Sequence, residues 1–156
     1  MTKKYILIIF SFFLALQMNA QSKKILAKYG VKSVVETVSE DGKTVNDSKK
    51  IFNKDGEVIE EVSYDKSGAL KDITKNIFDK HGNCIEQLVL KDGKVVERKT
   101  IKYDANDDKI EESQFNEENT LVKKQLYFYN AKGLKIEKRT LNSYGKVISV
   151  HSSIYQ

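Results

Sequence analysis

From residue 50 onward the apolar and polar positions return as one short pattern. It reads Phe52-Asn53-Lys54-Asp55-Gly56-Glu57-Val58-Ile59-Glu60, then Phe78-Asp79-Lys80-His81-Gly82-Asn83-Cys84-Ile85-Glu86. It comes back as Tyr103-Asp104-Ala105-Asn106-Asp107-Asp108-Lys109-Ile110-Glu111 and as Tyr129-Asn130-Ala131-Lys132-Gly133-Leu134-Lys135-Ile136-Glu137. The shared form is an aromatic, Asp or Asn, two free positions, usually Gly, two more positions, Ile and Glu. Successive aromatics lie 25 or 26 residues apart, and one further step reaches Tyr155. Self-similarity at such a period marks a repeat architecture, in which each unit leans on its neighbours.

Turn signals punctuate the whole chain. They are Ser39-Glu40-Asp41-Gly42, Asn53-Lys54-Asp55-Gly56, Asp65-Lys66-Ser67-Gly68, Asp79-Lys80-His81-Gly82 and Lys91-Asp92-Gly93. They continue as Asp104-Ala105-Asn106-Asp107, Asn116-Glu117-Glu118-Asn119, Asn130-Ala131-Lys132-Gly133 and Asn142-Ser143-Tyr144-Gly145. Asp, Asn or Ser first and Gly, Asn or Asp fourth is the chemistry of a type I turn closed by a left-handed residue. Such a turn with a bulge makes a short hairpin loop. Nine turns separate strands of roughly 8 to 10 residues. The predicted fold is therefore all-β: an antiparallel meander of about ten strands built from tandem repeats of about 26 residues.

Val31 to Val38, rich in Val and Thr, reads as the first strand. Before it, Tyr29-Gly30 reads as a worn copy of the repeat's turn. The basic lead-in from Gln21 to Lys28 offers Ile25 and Leu26 to cover an open end. No stretch after residue 20 shows helical periodicity, and no Pro or Gly-Ser linker divides the chain. Strict alternation places Val58, Glu60, Val62 and Tyr64 on one side of a strand, with Ile59, Glu61 and Ser63 on the other. It likewise groups Lys109 with Glu111, Ser113 and Phe115, opposite Ile110, Glu112 and Gln114. Neither side is cleanly apolar, whereas a packed sandwich needs a strict inside and outside. The mixture predicts a single-layer sheet, twisted or curled, with an aromatic ladder at Phe52, Phe78, Tyr103, Tyr129 and Tyr155.

The first twenty residues stand apart. Lys3 and Lys4 precede an apolar run from Tyr5 to Leu16, and Gln17-Met18-Asn19-Ala20 supplies a small residue before a cut ahead of Gln21. That is the layout of a secretory signal peptide. The run is shorter than the roughly 20 residues of a spanning helix, so no membrane span is expected after cleavage. The expected domains are a signal peptide, 1–20, and a β-hairpin repeat domain, 21–156, exported to the periplasm or the exterior.

Net charge is +5 for the whole chain and falls by two without Lys3 and Lys4. Lys and Glu are interleaved rather than gathered in a stripe, which argues against a nucleic-acid partner. Cys84 is the one cysteine, so the exported chain has no internal disulfide. Its place in the repeat, taken elsewhere by Val58, Lys109 and Lys135, makes it a strand residue.

The unit [Phe/Tyr]-[Asp/Asn]-x-x-Gly-x-x-[Ile/Val] resembles the YD repeat of the Rhs family of bacterial envelope and secreted proteins. Tyr64-Asp65-Lys66-Ser67-Gly68-Ala69-Leu70 carries that likeness, followed by Phe78-Asp79-Lys80-His81-Gly82. The resemblance implies an extended repeat sheet in the cell envelope. It carries over no functional residues.

Candidate chemistry is sparse. Glu60-Glu61 and Glu111-Glu112 are neighbours in strands, so each pair points to opposite faces and cannot converge on one glycoside. Asp104, Asn106 and Asp108 match the opening of a Ca²⁺ loop, but the turn Gly is missing and Phe115 stands where the closing Glu belongs. No cofactor is expected beyond a weak Ca²⁺ site there. His81 and His151 are not arranged with Cys84 as nucleophile and base. Tyr103, Tyr127, Tyr129, Tyr144 and Tyr155 crowd the last third of the chain. Repeated aromatics can stack on sugars or anchor a protein, and packing inside the ladder is their other use. The functional expectation is an exported, non-catalytic interaction or structural module of the envelope, with an envelope protein or a glycan as partner. The alternative is a carbohydrate-binding module using the tyrosines.

Overall fold

The computed structural model describes residues 23–156; the expected signal segment 1–20 lies outside them. Residues 23–29 form a short helix, α1. Ten strands follow: β1 (Ser33–Glu40), β2 (Lys43–Phe52), β3 (Val58–Tyr64), β4 (Leu70–Phe78), β5 (Cys84–Lys91), β6 (Lys94–Tyr103), β7 (Lys109–Phe115), β8 (Leu121–Tyr129), β9 (Lys135–Asn142) and β10 (Val147–Ser152). They make one open antiparallel sheet in chain order. Loops this short leave a strand no neighbour but the next one. The expected ten-stranded meander is the fold observed.

Seven turns share one design. The first side chain accepts hydrogen bonds from backbone amides two and four residues on, as Asp79 Oδ1 does from His81 at 2.8 Å and Asn83 at 2.9 Å. Asn53, Asp65, Asp104, Asn130 and Asn142 do the same, and Asn116 holds the amide of Thr120. The fourth residue is left-handed in all seven, including Asp107 at φ 63° and Asn119 at φ 57°. The other two turns depart from the expected design. Asp41-Gly42 and Asp92-Gly93 have positive φ at both residues. Glu40 pairs with Lys43, and Lys91 with Lys94. These are two-residue hairpins of the mirror-image kind, for which Asp-Gly is the favoured pair because its twist matches the strands.

A bulge follows each repeated turn and corrects the face assignment. Phe52 pairs with Val58 while Ile51 pairs with Glu60, leaving Ile59 without a partner. The same break occurs at Ile85, Ile110 and Ile136. An extra residue in one strand shifts the side-chain alternation by one. Val58 therefore lies on the face of Glu61, not of Glu60. Lys109 lies on the face of Glu112, to which its Nζ donates at 2.8 Å, not with Glu111.

The lead-in is also not a worn hairpin. Val31 N bonds Leu26 O at 3.0 Å and Gly30 N bonds Ala27 O at 3.1 Å, a Schellman stop with Gly30 left-handed. Tyr29-Gly30 thus ends a helix of two turns, too short to display a period in sequence. Leu26 and Ala27 line a groove of about 500 Å³ with Val31, Ile51 and Phe52, whereas Ile25 stays exposed. The Lys23 carbonyl abuts Gly56, where a Cβ would collide with it. Lys23 Nζ donates to Glu57 Oε1 at 2.6 Å.

The sheet has one layer and almost no interior. The buried side chains among the described residues are Tyr127, Ser48, Glu57, Ser113 and Thr140. Cross-strand pairs and turns therefore carry what a core carries elsewhere.

The turn carboxylates make stability acid-sensitive. Asp65 is held below the usual carboxylate range by the Ser67 hydroxyl and backbone amides, and Asp79 by the Asn83 amide. A carboxylate depressed in the folded state contributes stability above its unfolded pKa, and that share is lost as pH falls through the folded value. Asn already fills the same position at residues 53, 116, 130 and 142. The double change Asp65→Asn and Asp79→Asn should keep both turns and flatten the loss of stability below about pH 4. Urea midpoints at a series of pH values check this; an unchanged acid slope would refute it.

Candidate binding surface

The repeat aromatics are positioned by the strand that precedes each turn, and their hydroxyls point back along the sheet. Tyr103 Oη donates to Cys84 O at 3.0 Å, Tyr129 Oη to Lys109 O at 2.8 Å and Tyr155 Oη to Lys135 O at 2.8 Å. Each acceptor opens the returning strand of the repeat before. The equivalent carbonyl for Phe78 is that of Val58, and Phe78 has no hydroxyl. Asn76 Nδ2 fills the gap, donating to Val58 O at 2.9 Å. Burial raises the Tyr103 and Tyr129 phenols above their ordinary range, which keeps them protonated donors.

Three of the five expected binding tyrosines thus have their hydroxyls committed to backbone. Tyr127 is buried, with its hydroxyl on Gln125 Oε1 at 3.0 Å and Lys109 Nζ 4.7 Å from its ring centre. Tyr144 alone projects freely from a turn, 93% exposed. The five do not form one row. Asp104, Asn106 and Asp108 share a turn in which Asp104 Oδ1 accepts from the amides of the other two. Among the described residues, no three His, Cys, Asp or Glu side chains gather as metal ligands.

Neighbouring turns touch along one edge. Asn83 Nδ2 donates to Asp107 Oδ1 at 2.7 Å, with His81 Nδ1 3.7 Å from the same carboxylate. This contact gives a use to the non-Gly residue at the left-handed position. Glu57 similarly reaches the turn at Gly82, and Asp108 the turn at Gly133. Cys84 opens β5 with its thiol on Glu86 O at 3.5 Å; burial pushes that thiol up, away from reactive thiolate.

Both faces hold ion pairs, Lys109 with Glu112 among them, and one face also carries a polar row. On one, the repeat glutamates are paired: Glu60 with Lys75 at 3.7 Å, Glu86 with Arg98 at 3.2 Å, Glu111 with Lys102 at 3.0 Å, and Glu137 with Arg139. Arg98 and Arg139 lie over the rings of Phe115 and Phe128. On the other face a polar row crosses six strands: Asn76, Gln87, Lys99, Gln114, Lys123 and Asn142, each directly opposite the next. Gln87 Nε2 donates to Asn76 Oδ1 at 3.0 Å, and Lys99 Nζ to Gln87 Oε1 at 3.4 Å. Among the described residues, Lys99, Lys123 and the nearby Lys138 make no ion pair. The sequence hid this row because its members belong to six different strands and align only once the bulges are counted.

No helix among the described residues is long and apolar enough to cross a membrane. No protein-family model and no curated protein matches the chain in sequence. Among solved structures, TarM is 17% identical at a TM-score of 0.31; the match covers 90% of this chain and 27% of TarM. A protein of unknown function from Bacteroides fragilis is 17% identical at a TM-score of 0.38, with 81% of this chain and 95% of that one covered. Scores this low carry no argument about activity.

The hydroxyl bonds are testable. Tyr103→Phe or Tyr129→Phe should each cost about 1 kcal/mol, the usual worth of such a bond. Asn76→Ala should cost a similar amount, and adding Phe78→Tyr should recover much of it by restoring the donor used in the other repeats. Chemical denaturation of the four variants measures this. Equal stability of Asn76→Ala with and without Phe78→Tyr would refute the shared role.

Proposed function

We propose that the chain is an exported, non-catalytic interaction or structural module of the cell envelope. The row Asn76, Gln87, Lys99, Gln114, Lys123 and Asn142 carries this reading. Amides and lysines on a preformed sheet offer hydrogen bonds and positive charge across one broad surface, at little ordering cost. Lys99, Lys123 and Lys138 face no acidic side chain within ion-pair distance, so an acidic partner surface would complement them. Export is supported by the basic, apolar and polar layout of residues 1–20, and the YD-like repeat fits an envelope setting.

The test is capture of partners from envelope extract on the immobilised protein, with salt as a variable. One dominant protein, released by salt and lost in the triple variant Lys99→Glu, Lys123→Glu and Lys138→Glu, supports the reading. Retention unaffected by that variant would sink the assignment of the row. Polysaccharide retained without protein, and lost in Tyr144→Ala, would favour the carbohydrate-binding alternative, which rests on the free ring of Tyr144.

A further inference from the structure

The polar row is not uniform along its length. Toward β4 it is closed on itself: Asn76 Nδ2 donates to Val58 O, Asn76 Oδ1 accepts from Gln87 Nε2, and Gln87 Oε1 accepts from Lys99 Nζ. From β6 to β9 it is open. There it reads Lys99, Gln114, Lys123 and Asn142, cation and amide in turn, each directly opposite the next. Asn142 spends its Oδ1 on the amides of Tyr144 and Lys146 and keeps its Nδ2 hydrogens. Among the described residues, the Gln114 side chain makes no hydrogen bond, and neither lysine has an ion pair.

Other lysines of the sheet are placed differently. Lys50, Lys75 and Lys102 stand directly opposite Glu61, Glu60 and Glu111, the arrangement that stabilises adjacent strands. Lys123 instead has an amide on each side, and Lys138, on the same face, has Tyr127 and His151. Lys109 and Lys135 also come to this face, their Nζ atoms 4.7 and 5.9 Å from the Tyr127 ring centre. Over β6 to β9 this face thus gathers Lys99, Lys109, Lys123, Lys135 and Lys138 against Glu97 and Glu112, and Glu112 is taken by Lys109 at 2.8 Å. The surplus is positive charge without an internal counter-ion, and it attracts an anionic ligand.

We propose that the open half of the row binds a linear acidic polysaccharide in which charged and neutral residues alternate. The inference rests on the interaction-module reading and names the partner of that surface. Spacing selects the polymer. Adjacent strands lie about 4.8 Å apart, so members of the row follow at that interval and its two lysines at twice that interval. An extended polypeptide presents side chains on one side only every two residues, roughly 6.7 Å, and falls out of step. A pyranose in an extended β-linked chain advances by nearly one strand spacing, so each sugar meets one side chain. Carboxylates on alternate sugars reach Lys99 and Lys123. On the sugars between, Gln114 both donates to and accepts from hydroxyls, and Asn142 donates. Strands rotate by roughly 20–25° from one to the next, a twist that glycosidic bonds can follow.

The test is calorimetric titration, at low ionic strength, of the protein expressed from its full-length sequence. The probe is a tetrasaccharide alternating glucuronate with N-acetylglucosamine. Its comparators are neutral cellotetraose, a capped extended peptide with the same number of carboxylates, and phosphatidylglycerol vesicles. The acidic sugar should bind more tightly than all three. Lys123→Gln should weaken it about tenfold, the scale of a hydrogen bond to a charged group, and reduce its salt dependence. Gln114→Leu should weaken it by a smaller factor and leave the salt dependence unchanged. Lys49→Gln, which removes the same charge from the opposite face, should change nothing. Far-UV circular dichroism and urea midpoints confirm that the variants fold. No binding of the acidic sugar, equal binding of any comparator, or equal losses from Lys123→Gln and Lys49→Gln would each overturn the proposal. A salt-released protein captured from envelope extract and lost in the lysine triple variant, with no sugar bound, would remove this inference and leave the broader reading standing. Capture of neither would remove both.

Discussion

Water lies on both sides of almost every strand in this sheet, and that constraint shapes the rest. A side chain on a single layer can bury itself only against its neighbours on the same face. The hydrophobic term, which dominates in packed domains, is correspondingly divided into small local contacts. Cross-strand pairs contribute roughly 0.2–1 kcal/mol each, so the sheet needs them at every strand. The repeat glutamates supply them at regular intervals, each against a cation on its own or an adjacent strand. Exposed ion pairs alone are weak. Arg98 and Arg139 do more by laying their guanidinium groups over Phe115 and Phe128, at 4.5 and 4.7 Å, where the same cation screens an aromatic face from water.

What makes the unit a repeat, rather than a series of hairpins, is that its residues reach into the unit before or after. The aromatic hydroxyl bonds a carbonyl of the preceding copy. The residue five places after the aromatic reaches the next copy's turn, as Glu57, Asn83 and Asp108 do. Both contacts depend on the bulge, which resets the returning strand so that its first residue shares the aromatic's face. Phe78 tests the logic from within: the copy that lacks a hydroxyl has recruited Asn76 to the same carbonyl position. The carbonyl needs a donor in each copy, and which side chain provides it is secondary.

Legibility followed the local rules and failed where strands had to be aligned. The turns could be read because Asp or Asn first and Gly fourth answers a backbone requirement within four residues. Strand number and order followed from them. The bulge at Ile59, Ile85, Ile110 and Ile136 could not be read that way, since the pattern of a bulged strand looks like ordinary alternation. Simple alternation groups Lys109 with Glu111, whereas its partner across the bulge is Glu112. The helix of residues 23–29 escaped because two turns give no period, and its Gly30 stop resembles the turn glycines. The tyrosines were visible as a cluster, but their use was not. Only the register shows that Tyr103, Tyr129 and Tyr155 spend their hydroxyls on backbone, and only the register assembles Lys99 and Lys123 into one row.

A repeat sheet also has a problem that a closed fold does not. Each unit is stabilised by two neighbours, so the first and last have one side unserved, and repeat arrays answer with caps. Here the two ends answer differently. At the first, the Lys23 carbonyl of α1 lies against the Gly56 turn, and Lys23 Nζ donates to Glu57. At β10 nothing comparable lies over the edge among the described residues. The strand carries no Lys, Arg, Asp or Glu, whereas every one of the other nine has at least one.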